Sequence, residues 1–157
     1  MKDPLMTNTK QFCTFFVNGL FFGVEVLKVQ EVIRYQGMTD VPLAPAEIGG
    51  LINLRGQIVT AVDMRRTLKI EPRPADQRPM NVVVRSDDGA VSLLVDEIGD
   101  VVEVAEDTFE PPPETLRGSV RTIILGVHKL NDRLMHVLDI EKACQMMDVA
   151  ETAAAGR

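Results

Sequence analysis

Three kinds of side chain in this 157-residue sequence could do chemistry: two cysteines, two histidines and a scatter of carboxylates. Cys13 lies in the apolar run FCTFFV, where burial raises a thiol's pKa and quiets it. Cys144 is far along the chain, neither cysteine sits in a CxxC, and no histidine is near either. They read as buried free thiols. His128 and His136 flank a turn at Asn131-Asp132, with no third ligand at a workable spacing, so they read as structural rather than metal-binding. Asp63 and Asp139 each close a strand-like run and precede MRRTL and IEKAC. Paired carboxylates serve acid–base catalysis in glycosidases and proteases, but helix N-capping explains both more simply. Asp96, Glu97 and Asp100 read as a solvated acidic edge. Gly49-Gly50 lacks the lysine of a phosphate-binding loop. No nucleophile, base or metal set assembles, so no catalytic residue, cofactor or metal is expected, and recognition is the remaining chemistry.

The bulk composition narrows what is recognised. The formal net charge is -6, which opposes a phosphate-binding surface. Arg65, Arg66, Lys69, Arg73 and Arg78 are the one local basic cluster. Aromatics make up 4% of the chain, with no Trp and only Tyr35 among tyrosines, too few for a base-stacking platform. A nucleic-acid-binding barrel and a small enzyme on a barrel scaffold are therefore the weaker alternatives to a protein-binding adaptor. The N-terminal MKDPLMTNTKQ lacks the apolar core of a signal peptide. No apolar run approaches the roughly 18 residues of a membrane span, so a cytoplasmic protein is expected.

The elements that must position these residues are short strands. FCTFFV and LFFGVEV flank Asn18-Gly19, the strongest short-range hairpin signal. LKVQEVIRY (27–35) reads as a helical turn entering a strand. PLAP (42–45) starts a loop. AEIGGLINLR and QIVTAVDM form a second hairpin about Arg55-Gly56, and RRTLK (65–69) adds a helical turn. EPRPADQRP (71–79), rich in proline and charge, reads as a surface linker at the seam between two lobes.

The second half repeats the grammar of the first. NVVVRS and AVSLLV form a hairpin about Asp87-Asp88-Gly89. Ile98, Val101 and Val102 echo Val29, Val32 and Ile33, and FEPPPE (109–114) stands where PLAP stood. Gly50, Leu54, Val62 and Asp63 map onto Gly126, Leu130, Leu138 and Asp139 by a common shift of 76, while the leading hairpins shift by 69 to 70. The expectation is an all-β protein of two five-stranded barrel lobes packed together, with short helical turns. Lobe 1 is expected at about 11–70, lobe 2 at about 80–140 and a C-terminal helix at about 140–148, with 1–10 and 149–157 as flexible tails.

KVQEVIR (28–34), followed about 20 residues later by INLRGQIVTAVDMR (52–65), resembles the CheW family of chemotaxis coupling proteins. The resemblance covers residues 11–147. It implies SH3-like barrels for the two lobes and a non-enzymatic adaptor. Such an adaptor links the cytoplasmic hairpin tip of chemoreceptors to the regulatory domain of the histidine kinase CheA, itself CheW-like. Further CheW copies join the array rings, and the protein is recruited from the cytoplasm to membrane-associated receptors. Partner-binding residues carried over are Val26, Val29, Glu31, Gly50, Asn53, Leu54, Arg55 and Gly56. Arg55 beside Gly56 offers a planar donor fork suited to a carboxylate; an internal pair with Glu31 is the alternative use. Val26 and Val29 are edge or core, and Gly50 admits a partner backbone or makes a tight turn. The sequence departs from the family pattern at Thr60, where proline is common, and at Met64, where leucine is usual.

Overall fold

Asn18 and Gly19 adopt φ of 49° and 80°, so the turn they make has the handedness that matches two twisted strands. In the computed structural model, which describes residues 8–87 and 89–144, this turn joins β1 (Thr9–Val17) to β2 (Leu20–Glu25). A 3₁₀ turn, Val26–Lys28, leads into β3 (Val29–Ile33), as the mixed pattern of 27–35 suggested. β4 (Ile48–Leu54) and β5 (Gln57–Asp63) form the second hairpin, turned by Arg55 at φ 54° and Gly56 at φ 86°. A short helix, α1 (Met64–Thr67), follows. Then come β6 (Met80–Ser86), β7 (Gly89–Val95), β8 (Glu97–Ala105), the two-residue β9 (Phe109–Glu110), a helical turn α2 (Ser119–Thr122), β10 (Ile124–Lys129) and β11 (Leu134–Leu138). Residues 140–144 are helical; the rest of the expected C-terminal helix and most of both expected tails lie outside the described residues. Thr9 and Lys10, expected in the flexible N-terminal tail, instead belong to β1, held by pairing to Ala105 and Val104.

Two sheets form, and their membership cuts across the two halves of the sequence. One has the order β8-β1-β2-β11-β10-β9, the other β3-β6-β7-β5-β4. Apart from β9 the two orders are the same, including the single parallel joint, β2 with β11 and β7 with β5. Each half lends its leading hairpin to the other half's sheet. This corrects the expected sequential lobes at 11–70 and 80–140. Residues 71–79 connect α1 to β6 within one sheet and are no seam. The chain changes sheet instead at the 3₁₀ turn 26–28 and at Asp96. The physical reason is that tight turns hold each hairpin together locally, while nothing local dictates which three-strand set it joins.

The exchange lets one core serve both sheets. Phe15, Val17, Phe22 and Val24 from the first hairpin pack in one cluster with Val82, Val84, Leu93 and Val95 from its counterpart, and with Met64, Ile123 and Ile140. Each such side chain, fully buried, contributes about 1.5–3 kcal/mol before entropy is counted. A second, smaller cluster of Phe12, Phe21, Val104, Met135 and Val137 lies within the six-stranded unit.

Candidate functional site

β3 and β4 are the two outer strands of the five-stranded sheet, with no ladder between them. Glu31 on β3 and Arg55 at the β4–β5 turn bridge that opening. Arg55 donates from Nη1 to Glu31 Oε2 at 2.7 Å and from Nη2 to Oε1 at 3.1 Å, a bidentate pair. The left-handed backbone at Arg55 aims the side chain outward, and Asn53 fixes the turn by accepting the Gly56 N–H on Oδ1 at 2.9 Å. The Glu31 side chain is 17% exposed and that of Arg55 is 80% exposed. The internal pair weighed for Arg55 is thus present, and it orients the guanidinium while most of its edge still faces solvent. A guanidinium has five N–H donors, so Arg55 keeps donors for another carboxylate.

The remaining sequence-assigned residues divide. Asn53 and Gly56 are exposed beside Arg55, and Leu54 is half-buried. Val26 and Val29 are half-buried, and Val29 packs against the main core, so it is only partly a surface residue. Gly50 is buried. A Cβ there would stand 2.9 Å from both the Met38 Cβ and the Thr39 carbonyl oxygen, at a φ of 154° that favours glycine. The backbone that approaches Gly50 is the chain's own: Thr39 and Leu51 exchange N–H···O bonds of 2.9 and 2.8 Å. Gly50 therefore offers no surface to a partner, a correction to its placement among the binding residues.

Three apolar side chains that the sequence reading did not select are exposed on the elements that carry this rim or lead into it. Leu27 is 88% exposed, Ile58 61% and Val32 39%. Ile58 sits directly opposite Asn53 in the hairpin register. Strict alternation along β3 is the one sequence signal that could have marked Val32 as outward. Leu27 also borders a groove of about 580 Å³ shared with Thr9, Gln11, Val26 and Glu103.

Other candidates resolve as structural. Asp63 caps α1 by accepting the Arg65 N–H at 3.0 Å, and Asp139 accepts the Lys142 N–H at 3.0 Å. His136 Nδ1 bonds the Phe21 carbonyl at 2.7 Å, and His128 Nδ1 meets Thr108 Oγ1 at 2.9 Å. Burial, followed by the nearby Lys10 charge, pushes the His128 pKa down. Burial pushes the Cys13 thiol up. Among the described residues no group of three His, Cys, Asp or Glu could hold a metal ion.

The expected basic cluster and acidic edge hold in part: Arg66, Lys69, Arg78, Glu97 and Asp100 are exposed, and Arg65, Arg73 and Asp96 are the corrections. Arg65 and Arg73 turn inward onto Asp96, and all three side chains are about a tenth exposed. Burial works against the Asp96 charge, but hydrogen bonds from Arg65, Asn18 and Arg73 outweigh it and hold the carboxyl below its usual range. Sequence spacing could not reveal this, because the residues meet only where α1, the 71–79 segment and the sheet crossing converge.

A two-sheet β module with an oriented guanidinium and apolar side chains on its rim is of the class that works by docking other proteins. The family model described as CheW-like domain matches residues 11–147, and the chain belongs to that family. Its members are non-catalytic adaptors of chemotaxis signalling that couple chemoreceptors to the kinase CheA, and this chain has that function. It is 29% identical over 139 residues to the chemotaxis protein CheW of Bacillus subtilis, covering 88% of each chain. It is 28% identical over 141 residues to that of Klebsiella aerogenes, covering 90% of this chain and 85% of the relative. The crystal structure of the scaffolding protein TtCheW from Thermoanaerobacter tengcongensis superimposes with a TM-score of 0.79 at 25% identity, over 88% of this chain and 92% of that one.

Proposed function

We propose that the rim of the five-stranded sheet, formed by β3 and the β4–β5 turn, is a docking site of this adaptor. The oriented Arg55 carries the reading. Its fork is held by Glu31 yet remains 80% exposed, so a carboxylate on a partner can bind an already ordered guanidinium at low entropic cost. Glu31 on β3 and Asn53, Leu54, Gly56 and Ile58 at the β4–β5 turn complete the rim, with Val26 and Leu27 at the groove beside the 3₁₀ turn and Val29 entering β3. The partners are the cytoplasmic hairpin tip of a chemoreceptor and the CheW-like regulatory domain of CheA, one of them on this rim. The second partner docks on the six-stranded sheet, where Val101, Leu125 and Leu134 are exposed. Further copies of the module share these surfaces in array rings. No described helix is long and apolar enough to cross a membrane; the protein works in the cytoplasm, recruited to membrane-bound receptors by its partners.

Titration calorimetry with an isolated receptor-tip coiled coil and with the isolated regulatory domain tests this. Arg55→Ala is expected to weaken one of the two interactions without unfolding the protein, and Glu31→Lys to weaken the same one. Unchanged affinity of both variants for both partners removes the rim from the site.

A further inference from the structure

The chain crosses between its sheets at two equivalent places, and they are built differently. The first is the 3₁₀ turn Val26–Lys28 between β2 and β3. Its charges, Glu25 with Lys10 at 3.2 Å and with Lys28 at 3.7 Å, are 28%, 47% and 51% exposed, so the pairs are screened and constrain less. The second is a single residue, Asp96, between β7 and β8. Its carboxylate accepts from both sides of the crossing. Arg65, on α1 beyond β5, donates from Nη2 at 2.7 Å and from Nε at 3.0 Å. Arg73, on the way to β6, donates from Nε at 2.9 Å. From the six-stranded sheet the Asn18 backbone N–H donates at 2.7 Å, and the Asp96 N–H donates to the Phe16 carbonyl at 2.9 Å. Arg65 Nη1 also donates to the Glu71 carbonyl at 3.0 Å, which fixes the start of the 71–79 segment. In so enclosed a network the loss of one member leaves the others unpaired, so the geometry is strongly held.

We propose that Asp96 is a positioning residue that sets the angle between the two sheets, and through it the spacing between a partner docked on the five-stranded sheet and one docked on the six-stranded sheet. The inference rests on the two-surface reading above. With the two faces held in register, partners bound on both also meet each other, and that added contact strengthens binding of the second, a coupling of about 5- to 150-fold in typical cases. The solvated crossing at 26–28 cannot set that register.

The test compares the full chain with Asp96→Asn, which keeps the shape and removes the charge, and with Glu25→Gln at the other crossing. Amide residual dipolar couplings report sheet orientation, and calorimetry reports binding of the receptor-tip coil, of the kinase regulatory domain, and of one in the presence of the other. In the wild-type protein and in Glu25→Gln one orientation fits the couplings of both sheets. In Asp96→Asn each sheet fits alone but the two are rotated. Each binary affinity stays within about twofold, while binding of the second partner in the presence of the first weakens by about tenfold, as the contact between the two partners is lost. A single orientation for both sheets in Asp96→Asn, or binary and ternary affinities that fall together, overturns the proposal. A wild-type protein that binds neither partner defeats the docking reading instead, and the couplings still judge Asp96. If Asp96→Asn does not fold, Arg73→Gln, which leaves the Arg65–Asp96 pair, carries the same comparison.

Discussion

The β4–β5 and β10–β11 turns occupy equivalent places in two sheets of the same strand order, yet they hold their arginines in opposite ways. Arg55 reaches across an open edge to Glu31 and stays 80% exposed. In the other turn Asn131 stands at the position of Arg55, and the nearby Arg133 lies over the rings of Phe21 and Phe16, 4.8 and 5.6 Å from their centroids. Asp100, the counterpart of Glu31, uses its backbone carbonyl to accept the Thr14 hydroxyl, and pairing to β1 covers that strand. Duplicated topology thus makes the scaffold, and what distinguishes the two sheets is which side chains are left at the edges. Arg55 is left facing solvent, while Arg133 lies on its own sheet's rings and pairs with its neighbour Asp132 at 3.0 Å.

Equivalent glycines give the strongest way to probe what the sheets share. At Gly126 a Cβ would meet the Glu110 carbonyl oxygen and the Phe109 ring; at Gly50 it would meet Met38 and Thr39. Gly50→Ala and Gly126→Ala are each expected to cost about 1–3 kcal/mol in urea unfolding, because backbone, not a flexible tip, must yield. A neutral result at either position would break the equivalence of the two sheets.

The next largest effect concerns what they do not share. Arg55→Ala is expected to weaken one partner by about tenfold, as for a central charged anchor. Its stability change should be under about 1 kcal/mol, since the pair is exposed on the arginine side. Asn131→Ala is expected to do neither. Equal effects at both turns in calorimetry and melting would erase the distinction.

Acid titration separates the two crossings. The Asp96 carboxyl is held below its usual range in the folded protein, so its stabilising contribution is complete above the unfolded carboxylate pKa of about 4 and is lost as pH falls through the lower folded value. Melting curves of wild type should therefore drop on acidification more steeply than those of Asp96→Asn. Parallel curves would remove Asp96 from the acid response. The smallest effect is expected at the solvated crossing, where Glu25→Gln should change stability by no more than about 0.5 kcal/mol; a larger loss in denaturant titration would mean that both crossings are pinned.

Much of this architecture is legible in single stretches of chain. Asn18-Gly19 and Arg55-Gly56 announce their hairpins because both turns demand positive φ, and KVQEVIR shows its turn-into-strand character in its own pattern. Of the candidate rim, the Glu31–Arg55 pair, weighed in the sequence as the alternative use of Arg55, is present, and Asn53 bonds Gly56 at the turn. Gly50 was misread because its neighbour, Met38–Thr39, comes from a loop whose path no periodicity records. Leu27 and Ile58 escaped notice because an exposed apolar residue looks in sequence like a buried one.

The sequence by itself determined the turns and most of the strands, which depend on residues a few positions apart, and the internal repeat, which shows as matching patterns 69 to 76 residues apart. Only the tertiary structure decided that the hairpins trade places between sheets, that Arg65 and Arg73 turn inward, and that Asp96 joins the two halves. Those outcomes depend on which distant edges bury the most apolar surface together, and a charge's fate follows from where that burial leaves it.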